Sequence, residues 1–202
     1  MSDLVLIKLG GSAITHKDQA HSEDLGNIRR MGQEIKEALA VTDCQLILGT
    51  GGGSFAHQVA DQYKVNMGLY LTSKRGREFR QDALKGFTLT QNAAAELNRI
   101  VVTELLQLEL PVISMQPSAF LYCDQGDITE VFVQPLQQLL SVGIIPVVYG
   151  DVVTDLTKGC TITSTEQELV ALAGLLQAKR LIICTDVDGV FTDDPIANPE
   201  AE

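Results

Sequence analysis

Residues 4–12 of the chain read LVLIKLGGS, a short and mostly apolar run that stops at two glycines. Such a run predicts a buried β-strand that ends in a tight turn. The pattern returns at residues 45–53, which read QLILGTGGG, and in the runs that end at residues 150–151 and 185–186. Strands without polar alternation belong to sheets that are covered on both faces. The fold class is therefore α/β, a three-layer α/β/α sandwich with a largely parallel central sheet.

The segments between these strands predict the covering layers. Helix caps and helical spacing indicate helices at residues 22–39, 54–60, 74–110, 135–140 and 165–177. We expect the helical region at residues 74–110 to be interrupted near residues 87–90. Polar turns predict two hairpins, over residues 118–133 and around residues 155–159. No linker or repeat interrupts the pattern, so we expect residues 1–202 to form a single domain.

Charge and composition exclude several classes of function. The 202 residues carry a formal net charge of −11, which repels nucleic acid and anionic membrane surfaces. No apolar stretch approaches the roughly 20 residues that a membrane helix needs. The four cysteines are scattered and include no C-x-x-C pair, which favours a reduced chain without a disulfide framework or a metal site. We expect a cytoplasmic protein that binds neither nucleic acid nor membrane.

Glycine and polar residues follow four predicted strands, at residues 10–12, 51–54, 150–151 and 185–186. In open α/β sheets, ligands gather beyond the carboxyl ends of the strands. Glycine lets backbone N–H groups approach an anion, and the start of a following helix adds partial positive charge. Glycines also end strands for structural reasons alone, but four such turns together favour an anion site. Neither the G-x-G-x-x-G motif of dinucleotide-binding proteins nor the P-loop motif occurs, so the predicted phosphate-binding site is of another type.

Several of these segments are similar to the motifs of one family. Residues 8–12, KLGGS, together with Lys17, resemble the opening motif of amino-acid kinases. Residues 51–57, GGGSFAH, resemble the element that marks isopentenyl phosphate kinases within that family. Residues 114–118, 149–153 and 185–190 are similar to further segments of the same group. The resemblance implies the amino-acid-kinase fold, also known as carbamate-kinase-like, and an ATP-dependent phosphotransferase of isoprenoid biosynthesis.

The resemblance also implies roles for individual residues. The catalytic set would be Lys8, Lys17, His57 and Asp151. Lys8 would neutralise charge on the transferred phosphoryl group with help from Lys17, while Asp151 would fix the lysine. His57 would orient the acceptor phosphate. The nucleotide would be held by Gly10, Gly11, Ser12, Thr185, Asp186 and Gly189. The acceptor would be held by Gly51, Gly52, Gly53, Ser54 and Gly150. Mg²⁺ would accompany ATP and take mainly phosphate and water oxygens, without a metal site of the protein.

Some of these residues also have a structural interpretation. A lone helical histidine such as His57 is often structural, Lys17 could be a solvated loop residue, and Asp151 could cap the following turn. Phe87 and Gln91 share one helix face with Ala94, which the family uses against the isoprenoid tail, although such a stripe also fits a plain core.

The expected reaction is the phosphorylation of isopentenyl phosphate to isopentenyl diphosphate. The alternatives are a family kinase that acts on fosfomycin or UMP, and a shortened chain that binds phosphate without turnover. Thr50 stands where the subgroup has histidine, Ala56 replaces a glycine, and residues 164–166 replace an S-G-D-D run. Family members continue beyond the segment at 185–190, so we expect the domain to lack the C-terminal part of the nucleotide-binding lobe. The resemblance also suggests a homodimer.

Overall fold

The computed structural model describes residues 2–16, 19, 21–73, 76–185, 189, 192, 193 and 198. The β-strands are β1 (Asp3–Leu9), β2 (Cys44–Thr50), β3 (Tyr70–Ser73), β4 (Gly76–Phe79), β5 (Val112–Ser114), β6 (Leu121–Asp124), β7 (Asp127–Val131), β8 (Ile145–Tyr149), β9 (Asp151–Asp155), β10 (Gly159–Thr163) and β11 (Arg180–Cys184). The α-helices are α1 (Gly11–Ile14), α2 (Leu25–Val41), α3 (Gly53–Gln62), α4 (Gln81–Gln107), α5 (Gln134–Ser141) and α6 (Thr165–Leu175).

The central sheet has five strands in the order β11-β1-β2-β8-β5, and every neighbouring pair is parallel. This arrangement confirms the expected α/β fold with a largely parallel central sheet. Because parallel neighbours end at the same edge, the turns after β1, β2 and β8 lie together beyond their carboxyl ends.

Strand β1 shows how the sheet is covered on both faces. Leu4 and Leu6 pack in a core cluster with residues of α5 and α6, whereas Leu9 packs in a second cluster with residues of α2, α3 and α4. Successive side chains of a strand point to opposite faces. The Lys8 side chain therefore lies on the same face of β1 as Leu4 and Leu6, the face that α6 covers.

The two predicted hairpins form, but they join into a sheet of their own. This second sheet has the order β10-β9-β6-β7. Asp155 holds its two hairpins together, because its carboxylate accepts hydrogen bonds from the backbone N–H groups of Gly126, Thr157 and Lys158. The expectation of one sheet with two separate hairpins was therefore incomplete.

Helix α4 corrects the prediction of a broken helix over residues 74–110. Residues 76–79 form β4, and the helix then runs without interruption from Gln81 to Gln107. The β-branched residues near position 88 reduce helix propensity by well under about 1 kcal/mol each. That cost is outweighed by a continuous buried face, formed by Ala83, Gly86, Thr90, Ala93, Ala94 and Leu97.

Candidate active site

Two glycine turns, after β1 and after β2, pack directly against each other. A β-carbon on Gly51 would lie 2.5 Å from the backbone nitrogen of Gly11, and one on Gly11 would lie 2.6 Å from the nitrogen of Gly53. Any larger residue at these two positions would push the turns apart. The second turn leads into α3, whose first N–H groups have no partner within the helix. The contact therefore places backbone donors beside the end of β1, an arrangement that suits an anion.

Thr15 fixes the start of α3 against the first turn. Its hydroxyl accepts a hydrogen bond from the backbone nitrogen of Ser54 at 3.1 Å and donates one to the carbonyl oxygen of Gly11 at 2.8 Å. Gly53 has a φ of +49°, a conformation that favours glycine, and a β-carbon there would meet the Thr15 side chain at 2.5 Å. Backbone and side chain together thus hold the two turns in one geometry.

The ammonium group of Lys8 forms an ion pair with Glu166, in the first turn of α6. The Lys8 side chain is 12% exposed and that of Glu166 is 47% exposed. Partial burial opposes ionisation of Glu166, but hydrogen bonds from Lys8 and neighbouring donors outweigh it and hold the pKa of Glu166 below its usual value. Glu166 is therefore ionised at neutral pH, and a phosphate that enters would compete with it for the Lys8 ammonium group.

His57 lies one turn into α3 and is exposed. Its Nε2 atom lies 3.7 Å from the position that a β-carbon on Gly52 would take, so the ring borders the second glycine turn. Lys8 and His57 both line a cleft of about 590 Å³. The other predicted residues that line the same cleft are Gly11, Ser12, Gly51, Gly52, Gly53, Ser54, Gly150 and Asp151.

Asp151 lines the cleft without an observed contact to Lys8. It is 1% exposed, and its carboxylate accepts hydrogen bonds from the backbone nitrogens of Ser118 at 3.0 Å and Val152 at 2.9 Å. Burial raises the pKa of Asp151 above its ordinary value, against these hydrogen bonds. The residue paired with Lys8 is Glu166, which the sequence interpretation noted only as part of a divergent segment.

Thr165 joins the ends of two strands behind the cleft. Its hydroxyl donates to the carbonyl oxygen of Thr50 and accepts from the backbone nitrogen of Gly150, both at 2.8 Å. Ser164 caps α6 in a capping box with Gln167, which fixes where the next residues, Thr165 and Glu166, point. The helix begins at Thr165, where the sequence predicted its start, and the sequence S-x-x-Q at 164–167 explains why.

Thr50 belongs to a buried polar network. Asn98 donates to the Thr50 hydroxyl at 3.2 Å and accepts a hydrogen bond from the Ser114 hydroxyl. Thr50 and Asn98 are 1% and 0% exposed. The Thr50 hydroxyl therefore belongs to the buried hydrogen-bond network beneath the second glycine turn.

Other predicted residues lie elsewhere in the structure. Phe87 packs against the cluster of Val65, Val152 and Cys160, and the amide of Gln91 donates to the hydroxyl of Tyr149 at 3.3 Å. The N–H of Gly10 donates to the carbonyl oxygen of Cys184 at 3.0 Å and closes the contact between β1 and β11. Thr185 follows β11, and Gly189 has open space around its α-carbon. Lys17 and Asp186 lie outside the described residues.

The model of the amino acid kinase family matches residues 3–202 of this chain. The chain belongs to the amino acid kinase family. An isopentenyl phosphate kinase of Methanothermobacter thermautotrophicus is 36% identical over 202 residues, which are 98% of this chain and 73% of that protein. An isopentenyl phosphate kinase of Methanocaldococcus jannaschii is 33% identical over 196 residues, 95% of this chain and 72% of that protein. A crystal structure of an isopentenyl phosphate kinase superposes with a TM-score of 0.87 at 35% identity, over 98% of this chain and 78% of that one.

This amino acid kinase is thus an enzyme that uses ATP and acts on a small molecule. Over the described ranges, no group of three or more His, Cys, Asp or Glu side chains could hold a metal ion. The helices of the described part of the kinase include none that is long and apolar enough to cross a membrane.

Proposed function

We propose that the protein transfers the γ-phosphoryl group of ATP to isopentenyl phosphate, which yields isopentenyl diphosphate and ADP. The observation that carries this proposal is the backbone contact between the two glycine turns, with Lys8 and His57 on the walls of one cleft. Relatives that are named isopentenyl phosphate kinase support the choice of acceptor.

The reaction makes modest demands on the protein. An oxygen of the acceptor phosphate attacks the γ-phosphorus, a new P–O bond forms, and the bond from the γ-phosphorus to the leaving oxygen of ADP breaks. A phosphate oxygen is already ionised at neutral pH, so the attack needs no strong general base. Positioning and neutralisation of charge supply the catalysis.

The residues of the cleft match these two tasks. Gly51, Gly52, Gly53 and Ser54 would hold the acceptor phosphate at the start of α3, with His57 donating to it from the side. Lys8 would neutralise charge on the transferred group, and Glu166 would orient the ammonium until phosphate oxygens replace it. The backbone at Gly11 and Ser12 would hold nucleotide phosphates, whereas the N–H of the predicted Gly10 is already bonded to Cys184.

Asp151 would stabilise the backbone that forms the wall of the cleft and would not position Lys8. Its carboxylate already accepts hydrogen bonds from Ser118 and Val152, so it ties the loop after β5 to the start of β9. Gly150 would border the acceptor, held by its hydrogen bond to Thr165. Lys17, Thr185, Asp186 and Gly189 stay predictions of the family resemblance, as do a homodimer and a cytoplasmic location.

Mg²⁺ fits the site as a companion of the nucleotide. Among the described residues of the cleft, two carry carboxylates: Asp151 accepts hydrogen bonds from backbone N–H groups, and Glu166 is paired with Lys8. The ion would therefore be held mainly by phosphate and water oxygens, as Mg²⁺ commonly is, and when bound it would neutralise charge on the nucleotide phosphates.

A measurement of ADP release tests the proposal with isopentenyl phosphate, UMP and fosfomycin as separate acceptors. We expect isopentenyl phosphate to give the highest kcat/KM, and His57→Ala to lower kcat by at least roughly a hundredfold, the usual scale for one lost transition-state donor. Gln62→Ala is the matched control, because Gln62 is exposed at the far end of the same helix.

A higher kcat/KM for UMP or fosfomycin would assign the acceptor to that class. Absence of transfer to all three would support a protein that binds phosphate without turnover. Turnover of His57→Ala at the rate of the unmodified protein would remove His57 from the mechanism.

A further inference from the structure

Thr90 is a buried residue of the cleft whose hydroxyl lacks a partner. The residue lies near the middle of α4, is 3% exposed and lines the cleft. Within the part of the chain that the structure describes, its Oγ1 atom makes no hydrogen bond. Helical threonines commonly bond to the carbonyl four residues before them. Thr103 of the same helix does so, with its hydroxyl 2.8 Å from the carbonyl oxygen of Arg99.

The position of Thr90 along α4 sets it apart from the phosphate-holding turns. Asn98 contacts Thr50 at the end of β2. Ala94 lies one turn closer to the N-terminus of α4 and packs against Ala56 and Tyr149. Thr90 is a further turn away, so about 12 Å of helix separates it from Asn98. Thr90 therefore shares the cleft with the glycine turns but lies two helical turns from the residue that contacts the end of β2.

Apolar side chains share the cleft with Thr90. Ala60, Val152 and Ile162 line the cleft together with Thr90, and Val152 and Ile162 belong to a hydrophobic cluster that includes Phe87. Apolar walls with one hydroxyl form a surface for a carbon chain that carries one oxygen. A buried polar group without a partner is rare, and such groups concentrate at functional sites.

These observations extend the proposed function and rest on it. We propose that Thr90 is a specificity-determining residue whose hydroxyl forms a hydrogen bond with an oxygen on the carbon chain of the acceptor. The cleft then accepts a short branched phosphate monoester that bears a hydroxyl group, in addition to its hydrocarbon counterpart. The bonds formed and broken at phosphorus are the same for both acceptors.

The test compares kcat/KM for isopentenyl phosphate and 3-hydroxy-3-methylbutyl phosphate, which differ by the elements of water. We expect Thr90→Val to lower kcat/KM for the hydroxylated acceptor by about tenfold, since one buried hydrogen bond is lost, and to raise it for isopentenyl phosphate a few fold. Thr90→Ser keeps the hydroxyl and should retain the preference of the unmodified protein. Thr88→Val is the control, because Thr88 is exposed on the opposite side of α4 and its hydroxyl is bonded to the Lys85 carbonyl.

The outcomes separate this proposal from the function on which it rests. If the unmodified protein uses isopentenyl phosphate but Thr90→Val changes both acceptors equally, the proposal for Thr90 is wrong and the proposed function stands. If only the hydroxylated acceptor is used and Thr90→Val abolishes that preference, Thr90 has the proposed role and the proposed substrate is wrong. If neither acceptor is used, both are overturned.

Discussion

The substitution Gly51→Ala tests whether contact between the two glycine turns sets the geometry of the cleft. The new β-carbon would lie 2.5 Å from the nitrogen of Gly11 and 3.0 Å from its α-carbon, both backbone atoms that cannot rotate away. An ordinary van der Waals separation requires the turns to move apart by about 1 Å. Overpacking of this kind costs about 1–3 kcal/mol of unfolding free energy. A misplacement of about 1 Å at a reacting centre costs on the order of a hundredfold in rate.

The assay for Gly51→Ala combines ADP release with urea unfolding, so that lost activity can be compared with lost stability. Gly174→Ala is the matched control, because Gly174 lies in α6 and a β-carbon there would meet nothing within 4 Å. We expect this control to gain up to about 1 kcal/mol from helix propensity and to keep its activity. A Gly51→Ala protein with unchanged kcat/KM would refute the reasoning, since the turns would then tolerate separation.

Two further predictions concern carboxylates beside the cleft. Glu166→Gln weakens the orientation of Lys8, so kcat should fall about tenfold or more while the acceptor KM changes less; an unchanged kcat would show that Lys8 needs no such partner. Glu168 is 1% exposed and accepts a hydrogen bond from Thr163 at 2.7 Å, and burial raises its pKa well above the ordinary value. An acid whose pKa is raised by folding stabilises the protein less as pH rises through the interval between its unfolded and folded pKa values, by up to about 1.4 kcal/mol per pH unit. In urea unfolding, the stability of Glu168→Gln relative to the unmodified protein should therefore increase as the pH rises above the ordinary pKa of a glutamate side chain, and parallel pH profiles would contradict this.

The central sheet could be predicted because its strands are continuous apolar runs that end in glycine. Residues 4–9 and 144–149 lie at the positions of β1 and β8 for this reason. The second sheet was missed because its assembly depends on a single polar residue. Asp155 bonds the backbone N–H groups of Thr157 and Lys158 within its own hairpin and that of Gly126, 29 positions away in the other hairpin. No periodic pattern in the sequence reports the contact with Gly126.

The sequence predicted only those residues of the candidate site that lie at or just after the carboxyl end of a strand. Parallel strands bring the turns after β1 and β2 together, and this placed Lys8 and His57 on one cleft. Glu166 was not foreseen as the partner of Lys8, because 158 positions separate the two residues and only the start of α6 brings them together. Phe87 packs into a hydrophobic cluster, as the plain-core alternative expects, while Thr90, one turn away, lines the cleft. A role for Phe87 against the acceptor stays a prediction.

The central claim is that one cleft holds the reacting phosphates between Lys8 and His57. A crystal structure with isopentenyl phosphate and a non-hydrolysable ATP analogue tests it directly. We expect the acceptor phosphate within hydrogen-bond distance of the N–H groups at Gly52 and Gly53 and of His57, and the γ-phosphate within reach of the Lys8 ammonium. An acceptor phosphate bound away from the glycine turns, with Lys8 still paired to Glu166 and facing no phosphate, would contradict the account.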